Sequence, residues 1–202
     1  MAISYPYDLL KNMPGWSTEF ELFYRQEMSR TAGGVMIVKN LGSPLWKATF
    51  QIRILSINAL DQWRARLNTL DGGLNEFWGY ASSRCYPIAY PNGVGMGSYA
   101  GAKLAEIDAN RKIIRIGSLP SGFKISIGDH IQIGTRNLHQ VIDVAGSQLE
   151  IRPHLWPESK VNDPVTLVRP SCKMVMVPGS LTSTADPATG RGSITFQAIE
   201  SR

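Results

Sequence analysis

From Trp46 to Ile54 the chain alternates without a fault. Trp46, Ala48, Phe50, Ile52 and Ile54 fall on one side; Lys47, Thr49, Gln51 and Arg53 fall on the other. Successive side chains of a strand point to opposite faces, so this run is a long strand with one dry face and one wet face. A dry sheet face must be covered by a second layer. The rest of the chain must supply that layer.

Immediately downstream the period changes. In NALDQWRARLNTLDGG, Leu60, Trp63, Leu67 and Leu70 recur at helical spacing. Asn58 is a suitable N-cap, Asp61 falls in the first turn where the helix dipole favours a carboxylate, and Gly72 or Gly73 ends the helix. The pattern predicts one helix over about 58–71, its single apolar stripe packed on a sheet. Upstream, WSTEFELFYR sets Phe20, Leu22 and Tyr24 on one face and Glu19, Glu21 and Phe23 on the other, a strand. TAGG at 31–34 is a turn and VMIVKN a further strand, while LNEFWGY after the helix is another.

Composition shifts at residue 81. ASSRCYPIAYPNGVGMGSYAGAK is rich in Gly, Pro, Ser and Tyr and has no clear period, so 81–111 reads as irregular. Then come KIIRIGS, GFKISIGDHIQIG, LHQVIDVA, SQLEIRPHL and DPVTLVRP, short strands parted by turn residues. Phe123, Ile125 and Ile127 share one face, which Ile131 and Ile133 continue. Five such strands predict a small β-barrel over 112–168. Finally CKMVMVPGS and GSITFQAIES read as strands around a polar loop, LTSTADPATGRG. A C-terminal strand needs a sheet to join, and the N-terminal sheet is the one on offer. The predicted fold is mainly β: a sandwich-like core from 1–80 and 170–202 with one packed helix, and an inserted domain, 81–169, carrying the barrel.

The chain has 202 residues, enough for one large or two small domains. Its charged fraction, 18%, is low for a globular protein, as expected where a partner covers part of the surface. The net charge is +5, but the basic residues are scattered and no basic run is interleaved with aromatics, which argues against sequence-specific nucleic-acid binding. No stretch approaches the ~20 apolar residues of a membrane helix. The N-terminus does not read as a signal peptide, so synthesis in the cytoplasm with reduced thiols is expected.

Candidate chemistry is thin. All three histidines, His130, His139 and His154, lie within 128–155, but their spacing fits no zinc pattern. His130 lies opposite the Ile131/Ile133 face and His154 opposite the Ile151/Leu155 face, so both are expected to point to solvent. GVGMGSYAG at 93–101 lacks the glycine spacing and the strand–helix setting of a phosphate loop. Glu19 and Glu21 share a strand face and read as its wet side. Asp186 and Arg191 flank a turn. Cys85 and Cys172 bracket the predicted insertion, and whether they pair is open. Trp46 and Trp63 are expected in the core; Trp16, Trp78 and Trp156 are left between core and interface. No catalytic, cofactor-binding or metal-binding residue is assigned, and no enzyme activity is expected.

Taken in order, SPLWKATFQIRIL, NALDQWRARLNTLDGGLNEFWGY, GDHIQIGTRNLHQVIDV, EIRPHLWP and the closing GSITFQAIES resemble the distal tail proteins of tailed bacteriophages, the Dit-like baseplate hub family. The resemblance is one of order and style over nearly the whole chain. It implies a β-rich core assembled into a sixfold ring at the virion tail tip, joining the tail tube protein to the tail hub or tip proteins, with a passive channel for DNA. It implies no cofactor. The alternative reading is a carbohydrate- or oligonucleotide-binding module that uses the inserted barrel.

Overall fold

A computed structural model describes residues 3–202, apart from the side chains of Trp16 and Ile54. The placement of Trp16 and the membership of Ile54 in the dry face lie outside the described residues. In chain order the strands are β1 (Gly15–Phe23), β2 (Gln26–Arg30), β3 (Met36–Asn40) and β4 (Leu45–Leu55), then helix α1 (Ile57–Asn68), β5 (Phe77–Gly79), β6 (Lys103–Ile107), β7 (Ile113–Gly117), β8 (His130–Ile133), β9 (Asn137–Ala145), β10 (Gln148–Arg152), β11 (Val165–Thr166), β12 (Cys172–Met176), β13 (Thr182–Ala185) and β14 (Gly192–Glu200). Among the described residues the protein is mainly β with one α-helix, as predicted.

The long strand β4 sits between β1 and β14 in a sheet ordered β1-β4-β14-β12-β5, with β13 paired to β14. Register places Phe20 opposite Ala48, Leu22 opposite Trp46, and Phe196 opposite Phe50. One face therefore collects Phe20, Trp46, Ala48, Phe50, Ile52, Ile194, Phe196 and Ala198, and all of these but Phe20 are buried. Phe50 stacks on Phe196 at 5.1 Å between centroids, and Phe77 meets both edge-on.

Two layers share that face. Over the Ile52/Ile194 end lies α1, through Leu60, Trp63 and Leu67. Its register runs slightly ahead of the prediction: Ser56 is the N-cap, Asn58 is inside the helix, and Asp61 lies beyond the first turn, where it pairs with Arg64. The helix ends at Asn68, and the predicted 69–71 portion passes into a turn with Gly72 at φ 67° and Gly73 at φ 125°. The Trp46 end of the face is covered by the second sheet.

That second sheet is ordered β11-β8-β9-β10-β7-β6. It holds six strands rather than five, because β6 falls inside the segment expected to be irregular. The sheet curls until its ends nearly meet: Leu104 N–H donates to Asp163 O (2.9 Å), Asn162 N–H to Leu104 O (2.8 Å) and Val165 N–H to Ala102 O (2.9 Å). Leu104, Ile114, Ile131, Ile133, Val141 and Ile151 fill the interior. The stretch around Phe123, Ile125 and Ile127 forms no strand, and Ile127 is exposed; tight turns there leave it no partner edge. The polar loop 181–192 also differs from expectation, since Thr182–Ala185 pairs back on β14.

Candidate functional site

Between the barrel and the core sheet, register decides which side chains meet. Ile131 pairs with His139, Ile133 with Asn137, and Gln132 with Leu138, so Ile131, Ile133, Asn137 and His139 point into the barrel while His130, Gln132 and Leu138 point outward. The outward face is not wet. Trp46 approaches His130 edge-on at 5.1 Å, Phe20 lies 6.1 Å from the same ring, and the Trp46 Nε1–H donates to Leu138 O at 2.8 Å. His130 was expected in solvent; the periodicity gave its face correctly, but the core sheet covers that face. Burial, then the nearby Arg84, pushes its pKa down to about 4.

His139 is fully buried inside the barrel. Its Nδ1–H donates to Pro153 O at 2.9 Å and its Nε2 has no partner. Burial pushes its pKa down to about 4 against the opposing pull of the Pro153 carbonyl, and Arg202 lowers it further. His154 is exposed, as expected. The three histidines thus point in three directions, and among the described residues no cluster of His, Cys, Asp or Glu can hold a metal ion.

Beside this seam Glu200 is buried and accepts the Trp46 backbone N–H through Oε2 (3.0 Å). Arg202 Nη2 lies 2.6 Å from Glu200 Oε1 and forms an ion pair with it. The same guanidinium stacks on Trp156 at 3.4 Å and donates to Asn137 Oδ1 at 2.9 Å. Trp156 is thereby placed at the seam and Trp78 on β5, where it lines a cleft of about 410 Å³ with Asp8, Tyr80 and Arg169.

The remaining candidates stay apart. Glu19 and Glu21 are exposed on the open face of the core sheet, Glu21 opposite Lys47. Cys172 is buried in the core, Cys85 donates its thiol to Ser82 O, and both are free. Residues 93–101 run through turns and irregular backbone into β6, with no helix behind them. Asp186 accepts from the Ala188 N–H and the Thr189 hydroxyl, the turn chemistry expected.

The feature that sequence reasoning passed over is the β2–β3 hairpin. Its registers pair Met28 with Val38, Ser29 with Ile37 and Arg30 with Met36. Every residue of both strands is exposed, with Met28 at 67% and Met36 and Ile37 each at 53%. Thr31 closes the turn through bonds to Val35, and Leu41 N–H to Arg25 O closes the base. The signal was present: four consecutive apolar residues, Val35 to Val38, put apolar groups on both faces of a strand whose partner, QEMSR, is too polar for a core. Comparison with protein-family models and with curated proteins finds no match to this chain.

Proposed function

We propose that this chain is a structural subunit of a bacteriophage tail tip, a distal-tail or baseplate-hub protein whose copies close into a sixfold ring between the tail tube and the tip proteins. The observation that carries the reading is the bare hairpin. An isolated two-stranded ribbon is marginal in water, and its unpaired edges and apolar side chains invite another chain. Met28, Val35, Met36, Ile37, Val38 and Leu41 are an exposed apolar set on a projecting arm, the composition of a surface that a partner covers. The order of elements that resembles the Dit-like family supports the ring. So does the open sheet face, where Glu19 and Glu21 face Lys47, Thr49 and Gln51: a polar, nearly charge-balanced wall suits a water-filled channel.

The test is native mass spectrometry with electron microscopy of the purified chain and of a Met28→Asp/Val38→Asp variant. Closed rings that the variant loses support the reading. A variant that assembles like the wild type, or a wild type that never leaves the monomer at about 1 mM, where even weak contacts register, overturns it. A second reading, a carbohydrate-binding module, draws on the cleft, where the half-buried Trp78 lies beside Arg169 and Asp8. Glycan-array binding lost on Trp78→Ala is its test.

A further inference from the structure

The hairpin needs something to sit on, and the barrel carries a second uncovered apolar surface. Ile88, Ile127 and Ile142 are all exposed, Ile127 at 59%. Close backbone approach and three hydrogen bonds bring their segments together. A side chain on Gly128, next to Ile127, would meet Ile88 Cδ1 at 3.3 Å. Gly128 N–H donates to Val141 O at 2.8 Å, which sets Ile142 beside the same turn. Ile88 N–H donates to Asp129 Oδ1 at 2.7 Å, while Ser126 N–H donates to Asp129 Oδ2 at 2.7 Å. The buried Asp129 carboxylate thus pins both isoleucine-bearing segments to each other.

Ile142 stands at a break in the ladder. In the β9–β10 ladder Asp143 pairs with Glu150 and Val141 with Ile151, which leaves Ile142 as the extra residue of a bulge. A bulge re-aims one side chain and disturbs the ladder. Ile142 keeps the outward parity of Leu138 and Gln140, and the bulge changes the parity after it, so that Asp143 beside Ile142 is also exposed while Val144 turns back onto the barrel core.

We infer that the Ile88/Ile127/Ile142 patch is the seat for the Met28/Met36/Val38 face of the hairpin from a second copy of this chain. The inference rests on the ring reading and names its contact. Hairpin and patch are two different surfaces of one chain, so their union is head-to-tail and propagates around an axis, whereas a contact of like with like stops at two. Charge agrees with the pairing. Arg30 lies opposite Met36 on the hairpin and Asp143 follows Ile142 on the barrel. Both are exposed, and neither forms an ion pair among the described residues.

The experiment compares three samples by analytical ultracentrifugation: the hairpin variant Met28→Asp/Val38→Asp, a patch variant Ile127→Asp/Ile142→Asp, and their equimolar mixture. All four positions are exposed, and unchanged thermal unfolding checks that each variant folds. Each variant alone is expected to be monomeric. The mixture is expected to form a one-to-one dimer and nothing larger, because it holds one intact hairpin and one intact patch per pair. A patch variant that assembles like the wild type overturns the seat while leaving the hairpin's role standing. A hairpin variant that assembles overturns both, and a mixture that stays monomeric overturns the seat. In the full chain, Arg30→Glu or Asp143→Arg alone is expected to weaken association about tenfold, and the double reversal to restore it; no recovery in the double removes the charge pairing.

Discussion

Acid unfolding of this protein should run through His139. The Pro153 carbonyl fixes the tautomer: it accepts from Nδ1–H, so the lone pair is on Nε2, which is buried and without a partner. Protonating Nε2 would place a cation in the barrel interior with no acceptor and the Arg202 guanidinium nearby. Its folded pKa is accordingly lowered from 6.5 to about 4. Between those values the unfolded chain holds the extra proton and the folded chain does not, so stability rises with pH across the window. It is fully present above about 6.5, is lost progressively as pH falls through 4, and is flat below. At about 1.4 kcal/mol per pH unit the loss is about 3 kcal/mol, a large part of the stability of a typical domain.

The measurement is urea unfolding of the wild type and of His139→Gln at pH 7, 6, 5 and 4. Glutamine can still donate to the Pro153 carbonyl but does not titrate. The variant should be the less stable at pH 7, and the gap should close and then reverse toward pH 4, a net change of about 3 kcal/mol between the two curves. Taking the difference removes what both proteins share. That includes His130, lowered to about 4 in the same direction, and the buried carboxylates Glu200 and Asp129, which burial raises and which act in the opposite sense. Two parallel curves would refute the assignment of the acid transition to His139.

Leu67→Asp sets a carboxylate on the helix stripe where the leucine is fully buried, and should destabilise the fold by at least about 3 kcal/mol, read as a fall in Tm or loss of soluble protein; an unchanged Tm would mean that the helix faces another way. Gly192→Ala should loosen the start of β14, since a Cβ there would collide with the Thr184 carbonyl oxygen and lie 2.9 Å from Leu60 Cδ2. Amide exchange in β13 should quicken in that variant, and unaltered protection of Thr182–Ala185 would show that the backbone accommodates the methyl.

Much of the architecture was legible because it is local. The alternation of β4 and the helical spacing of Leu60, Trp63 and Leu67 each follow from a period read over a dozen residues, and the structure places Trp46, Ala48, Phe50 and Ile52 in one core with those three helix side chains. The failures have one cause. Alternation says that His130 lies opposite Ile131 but is silent on what lies against that face, and the answer, Trp46 and Phe20, comes from 84 and 110 residues up the chain. β6 was missed because KLAEI is short and follows a glycine-rich run; its strand conformation is set by β7 and by hydrogen bonds from 162–165 at the far end of the barrel. The hairpin was read as an ordinary strand because sequence shows which residues are apolar, not whether anything covers them.

The seam also bears on what kind of protein this is. A barrel hung on a flexible tether would leave Trp46 bare, and the core sheet would have a dry face only half covered by α1. Instead Trp46 is 1% exposed, with its Nε1–H satisfied by Leu138 O from the barrel and its backbone N–H by Glu200 from the last core strand. Arg202 ties the same corner to Asn137 and Trp156. The barrel completes the core, and it holds its outer surface at a fixed place relative to β1 and the hairpin that continues from it. A head-to-tail contact closes into a ring of defined size only if the angle between the two contacting surfaces is fixed in every copy. In the proposed ring, Trp46→Ala, which empties the seam without touching hairpin or patch, should therefore broaden the distribution of assembled sizes before it abolishes assembly; a sharp ring of unchanged size would show that the seam does not set the angle.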